Sequence, residues 1–277
     1  MSRPPARSRL PALAALALAC IALLGACGKG SPPSSTHAAG APASTATSTR
    51  PTPSREGEGL HAREHGGARG PRAQAQAFAR AVNLTAGDVP GFSVSQTPVS
   101  EPESTAEKRF ERGFRKCAGA SLGDEAKPLA EASSSTFERK GGIADQSVSS
   151  SVSVERSSHS AAGWIAALRN RRLRGCLASA FRALLAGEHI DGAQIGPVSI
   201  KYGSPPAPGT SGGYALRVIT NITVRRIPVP FYLDVLGFVD GPADVSLLTI
   251  SIPSPFPAHV EESLFSLLLA RAKARTA

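Results

Sequence analysis

The sequence predicts an α+β fold: a single domain with a mainly antiparallel sheet packed against helices, preceded by a signal peptide and a disordered tether. Three observations lead there. Near residue 70 the chain changes from a Ser-, Thr-, Pro-, Ala- and Gly-rich stretch without hydrophobic period to segments that have one. In the last third, strand-like segments follow one another across short turns, so neighbours pair antiparallel. Helical patterns precede and follow the strands instead of alternating with them, which argues against a parallel βα sheet.

Of the 277 residues, the first 26 read as a leader. Arg3, Arg7 and Arg9 form a basic start and residues 10–24 are almost unbroken apolar, a run short for a span but suited to an export signal. Leu24-Gly25-Ala26-Cys27 then resembles the bacterial lipobox, whose cysteine receives diacylglycerol. Several acyl chains anchor stably where one holds only weakly, at roughly 0.8 kcal/mol per buried methylene. The expected location is therefore the outer face of the cell membrane, lipid-anchored through Cys27. Residues 27–70 are the expected tether, spanning roughly 35–40 Å as a flexible coil. Residues 71–277 form the expected extracytoplasmic domain.

That processing divides the cysteines. Cys20 leaves with the leader and Cys27 carries lipid, leaving Cys117 and Cys176 in an oxidising compartment. A disulfide between them closes a loop of about 60 residues, worth roughly 4 kcal/mol on the chain-entropy model. The alternative is a pair of buried free thiols. Two cysteines without a CxxC cannot make a zinc site alone.

Within the domain, an Ala-rich helix spans 71–82, and Asp88-Val89-Pro90-Gly91-Phe92 turns the chain. Ser104-Thr105-Ala106-Glu107 is a capping box before a helix that puts Phe110, Phe114 and Cys117 on its core side. Ser-rich strands are expected near 133–140 and 147–156, with Val148, Val152 and Val154 on one face. The long helix 161–186 carries the stripe Leu173, Cys176, Leu177, Ala180, Phe181 and Leu184. Trp164, Ile165 and Leu168 lie on a rotated face, which implies a bend near Asn170–Arg172. After a strand near 195–202, residues 213–226 and 229–240 read as a hairpin turning at Ile227-Pro228, followed by a strand 243–252. A helix from 258 to 274 closes the chain, with Glu261 and Glu262 in its first turn and Arg271 and Lys273 in its last, as the helix dipole favours.

The net charge of +10 loses its three leader arginines on export and spreads over tether and domain. What remains is too weak for a nucleic-acid binder. The dense run Arg169, Arg171, Arg172, Arg174 and Arg182 is most simply a solvated helical face, with contact to anionic lipid or polymer as the alternative. Two motifs fail on context. Gly119-Ala120-Ser121-Leu122-Gly123 matches GxSxG but follows a helix, whereas a nucleophile elbow needs a strand before it. His61-Ala62-Arg63-Glu64-His65 matches HxxEH but is flanked by glycines inside the tether. Asn83-Leu84-Thr85 and Asn221-Ile222-Thr223 are sequons that a bacterial lipoprotein has little use for. No catalytic set, metal site or cofactor is expected.

Leader, lipobox and tether, then Asp88-Val89-Pro90-Gly91-Phe92, Cys117, Trp164 and Cys176 in their order, resemble actinobacterial lipoproteins and sensor domains of the PknH-like extracellular family. The outline is also similar to Mog1/PsbP-like lipoproteins. The resemblance covers residues 75–275 in layout, and this mature domain has cysteines for one disulfide where the kinase sensor has two. It implies ligand sensing or envelope interaction.

The expected function is a membrane-anchored, non-catalytic sensing or binding domain. The alternatives are an envelope assembly factor docking another protein and, more remotely, a hydrolase. On the proposed hairpin, Leu216, Val218, Ile222, Phe231, Leu233 and Val239 make a core face. The opposite face mixes Arg217, Asn221, Thr223, Tyr232 and Asp234 with Ile219, Leu236 and Phe238. That mixture fits a half-sheltered cleft for an envelope lipid, glycan or small anion, with Arg217, Asn221, Tyr232 and Asp234 as lining candidates. The competing possibility is a helix laid over this face.

Overall fold

A computed structural model describes residues 70–96, 113, 117, 128–141, 144–187, 193–224 and 226–275. Among the described residues nine strands make one sheet: β1 (Ser93–Gln96), β2 (Ala130–Ser133), β3 (Thr136–Arg139), β4 (Asp145–Val154), β5 (Ala193–Ile195), β6 (Ser199–Gly203), β7 (Gly212–Val224), β8 (Ile227–Asp240) and β9 (Ala243–Ile252). The α-helices bounded within the described residues are α1 (Pro71–Val82), α2 (Ser158–Arg169), α3 (Arg171–Gly187) and α4 (Ala258–Lys273). The strand order is β1-β3-β4-β9-β8-β7-β5, with β2 also on β4 and β6 also on β7, and every pair is antiparallel. The fold is α+β, as the sequence predicts.

Both faces of this sheet are covered, and each has its own core. On one face α2 and α3 bring Ile165, Leu177, Phe181 and Leu184 against Leu216, Val218, Phe231, Leu233 and Val235. On the other, α1 and α4 bring Phe78, Val82, Leu264, Phe265 and Leu268 against Val148, Val152, Phe238 and Val245. Alternation along each strand serves both cores at once, because successive side chains point to opposite faces. The three β4 valines Val148, Val152 and Val154 are buried together, as their spacing predicts.

The long helix is two helices. Asn170 interrupts them, its side-chain Oδ1 accepting from the Arg172 N–H at 2.9 Å, and so starts α3 as a cap. The expected bend is thus a full break.

The hairpin turns four residues' worth of register away from the expected position. A turn at Ile227-Pro228 would pair Val224 with Phe231 and Leu216 with Val239, whereas Val224 pairs with Ile227 and Leu216 with Val235. Pro228 suggests a turn by residue type alone, since proline usually marks one. Here Pro228 and Pro230 lie inside β8, pairing with Thr223 and Asn221, where β8 has no β9 partner to need their missing N–H. Because the slip is even, every side chain keeps its face, and the six residues of the proposed core face are all buried.

Asp88-Val89-Pro90-Gly91-Phe92 is a structural clamp. Asp88 Oδ2 accepts from the Thr85 N–H at 2.7 Å, closing the turn after α1. Val89 is buried, Gly91 takes φ +81°, and Phe92 packs 6.1 Å from Phe256 with the Arg139 guanidinium over its ring. Asn83, of the first sequon, is buried and donates to the Ala79 and Ala132 carbonyls. It holds the end of α1 on the sheet and is closed to glycosylation.

Candidate functional site

The mixed face of the hairpin is partly roofed by α4. Arg217 and Asp234 are directly opposed on β7 and β8, and the Arg217 Nε donates to Asp234 Oδ1. Glu261, from the first turn of α4, brings Oε2 to 3.5 Å from Arg217 Nη2 and accepts from the Thr249 hydroxyl through Oε1. Asp234 and Glu261 are buried, while the Arg217 side chain is 35% exposed. Burial pushes the Glu261 carboxyl up to about 7, helped by neighbouring Asp234 and opposed by Thr249 and Arg217. Asp234 Oδ2 and Ser251 Oγ are buried beside this group without hydrogen-bond partners. Two acids thus share one guanidinium. Of the other two candidates, Tyr232 is half-buried opposite Ile219 and Ser251, and Asn221 is exposed opposite Pro230.

Sequence reasoning assigned Glu261 to the helix dipole and missed this partnership. Its i, i+3, i+4 relation to Leu264 and Phe265, both buried, was the available signal that Glu261 faces inward.

A cavity of ≈ 280 Å³ opens on the other face of the sheet, between the helices and the β6–β7 edge. Ile165 of α2 and Arg174 of α3 form one wall. Tyr202, Gly203 and Ser204 at the end of β6, with Gly213, Tyr214 and Ala215 on β7, form the other. None of the four hairpin candidates lines it. The Arg174 guanidinium stacks 4.5 Å from the Tyr202 ring centroid, and the Tyr202 hydroxyl donates to the Arg174 carbonyl at 3.2 Å. Burial raises the Tyr202 phenol above its ordinary value against the pull of Arg174, so it stays protonated. Tyr214 reaches across the sheet and donates to Asp244 Oδ1 at 2.9 Å. Both hydroxyls are engaged, so the two tyrosines offer the cavity mainly ring surface.

That reach depends on a glycine. Gly237 faces Tyr214 across the β7–β8 pair, and a Cβ there would stand 2.2 Å from the ring. Asp244, the phenol's partner, is raised to about 7 by burial, against the Tyr214 bond and with Glu155 nearby.

Cys117 and Cys176 form a disulfide with Cα atoms 5.5 Å apart. Cys176 is buried, but Cys117 is exposed, which corrects the expectation that both face the core. A helical stripe orders residues around an axis; what packs over each one decides its burial. Ser121 of the GxSxG motif and the pair His61 and His65 lie outside the described residues, as do Cys27, Phe110 and Phe114. His159 and His259 are exposed. Among the described residues no group of three or more His, Cys, Asp or Glu side chains is placed to hold a metal. Among them, too, no helix is long and apolar enough to cross a membrane.

The fold and the cavity describe an antiparallel sheet closed on both faces by helices, with a small chamber at its β6–β7 edge. No family model matches the chain, and no curated protein matches it. Among solved structures it is similar to the extracellular domain of PknH from Mycobacterium tuberculosis, at 8% identity and a TM-score of 0.32, over 72% of this chain and 97% of that one.

Proposed function

We propose that the protein is a lipid-anchored extracytoplasmic binding domain that holds a small, largely apolar envelope molecule without transforming it. The leader and the lipobox ending in Cys27 support the address. The cavity walled by Ile165, Tyr202, Tyr214 and Ala215 carries the binding reading. Its volume lies just below the usual range of small-molecule sites, roughly 300–1,000 Å³, and its walls are the aromatic and apolar surfaces such sites use. Arg174 stacked on Tyr202 gives the mouth one charged group to orient a polar end of the ligand. The Arg217–Asp234–Glu261 group on the opposite face serves to dock α4.

The test is ligand retention. The mature chain is incubated with envelope extract, repurified, and its bound small molecules identified by native mass spectrometry. Tyr202→Ala should lose the ligand while keeping the wild-type circular dichroism, and Asn221→Ala should keep it. Retention by Tyr202→Ala and loss by Asn221→Ala would move the site to the hairpin face. Mass spectrometry of the native N-terminus separately checks acylation at Cys27, and an unmodified chain released into the medium would refute the anchor.

A further inference from the structure

The basic run of the sequence meets the cavity at Arg174. Arg171 and Arg172 are exposed in the same first turn of α3, and Arg171 precedes Arg174 by three residues, the spacing that makes helical neighbours. That turn carries no acidic residue, and none of the described residues lining the cavity is Asp or Glu. Tyr202 holds Arg174 twice, with its ring 4.5 Å from the guanidinium and its hydroxyl on the Arg174 carbonyl. Stacking uses the face of a guanidinium, whereas its hydrogen bonds leave through the plane's edge. The hydroxyl donors of the lining are already committed. Ser204 donates to the Gly213 carbonyl at 2.9 Å, Tyr202 to the Arg174 carbonyl and Tyr214 to Asp244. An acceptor group entering beside these walls therefore meets Arg174 as its charged side-chain donor.

We propose that the cavity selects a short amphiphile with one anionic head, a carboxylate or a phosphate ester, its apolar tail against Ile165 and the tyrosine rings and its head on Arg174. This rests on the cavity being the binding site. Arg171 and Arg172 add to the positive potential around Arg174, which draws an anion and repels a cation. A neutral alcohol of the same length keeps the apolar contacts but forgoes a bond between two charged groups, roughly twice as strong as a neutral one. Because Tyr202 fixes Arg174 beforehand, little ordering is left for the ligand to impose.

The experiment uses the chain from residue 28, free of lipid; both cores are built from Ala75 onward. Titration calorimetry compares octanoate, octyl phosphate, octanol and octylammonium, each below its micellar concentration. Both anions should bind, octanol about tenfold more weakly or worse, and octylammonium least. The tighter anion names the head. Arg174→Gln should bring the anions down to the level of octanol and leave octanol itself unchanged, with wild-type circular dichroism and melting temperature. Arg174→Lys should restore part of the difference, and Tyr202→Ala should weaken all binding. Octanol bound as tightly as the anions, anion binding unchanged in the folded Arg174→Gln protein, or no binding of any of the four would overturn the proposal. Sensitivity of octanol to Tyr202→Ala, with no effect of Arg174→Gln on the anions, would overturn the charge assignment while the cavity reading stands. Binding that Tyr202→Ala leaves intact would overturn both.

Discussion

Asp88 and Arg271, 183 residues apart in the chain, meet in a two-pronged ion pair, with Nη2···Oδ1 at 2.7 Å and Nη1···Oδ2 at 2.8 Å. The same guanidinium donates to the Asn83 carbonyl at 2.9 Å. The last turn of α4 is thereby tied to the turn that follows α1, and the two helices of one sheet face become a single layer. Bidentate, charge-assisted bonds are the strong class. Arg271→Ala should cost about 2 kcal/mol, discounted for the partial solvent access of the pair, and Asp88→Asn somewhat less. Urea denaturation of the two single variants and the double variant measures this. Additive effects would show that the pair is not coupled.

Gly237 is expected to accept no side chain. Gly237→Ala would drive a methyl into the buried Tyr214 ring and break its bond to Asp244, at a cost of about 2–3 kcal/mol. Adding Tyr214→Ala should recover part of that loss, because it removes the obstacle. A double variant no more stable than Gly237→Ala alone would place the strain elsewhere.

Arg217→Ala should be more damaging than its partly exposed position implies, by about 2 kcal/mol, since it leaves the buried Asp234 and Glu261 without a counter-ion. Replacing Arg217 by Met and Asp234 by Leu together should be close to neutral, the pattern expected of a charge group that serves packing. Chemical denaturation of both variants discriminates.

Stability should peak in mildly acidic solution. Asp244 and Glu261 have folded pKa values raised to about 7, so the native chain holds protons that the unfolded chain has released. Their contribution is greatest at low pH and is lost as pH rises from about 4.5 toward about 7. Asp88 has the opposite sign. Burial would raise it, but Arg271 and Thr85 together hold its carboxyl below the usual value, so its contribution fades as pH falls below about 4. The melting temperature should therefore be a few degrees higher near pH 5 than near pH 8. The Asp244→Asn/Glu261→Gln chain should show a flattened profile on that alkaline side, and an unflattened one would exonerate these two groups.

Reducing the Cys117–Cys176 bridge should lower the melting temperature by several degrees, given ~2–5 kcal/mol for a native disulfide. Peptide mapping without reductant checks the pairing first. Two free thiols in the native protein would end the claim.

Periodicity alone was enough for the α+β class, for α1, β9 and α4 nearly to the residue, and for the valines Val148, Val152 and Val154 on one face. These are local facts: a period of two or of 3.6 is written in neighbouring residues. Counting cysteines after an expected cleavage was enough for the disulfide partners. The hairpin register was not legible, because Pro228 is a turn residue only if β8 has a neighbour there that needs its N–H, and β9 stops short of it. The fate of the polar hairpin face was not legible either. Arg217 and Asp234 read as ligand groups until Glu261, from a helix joined by a separate stretch of chain, arrives to share the charge. The cavity draws on α2, α3, β6 and β7, whose residues meet only once the sheet is closed on both faces. Burial, charge pairing and enclosed space depend on what packs opposite, and that information belongs to the tertiary structure.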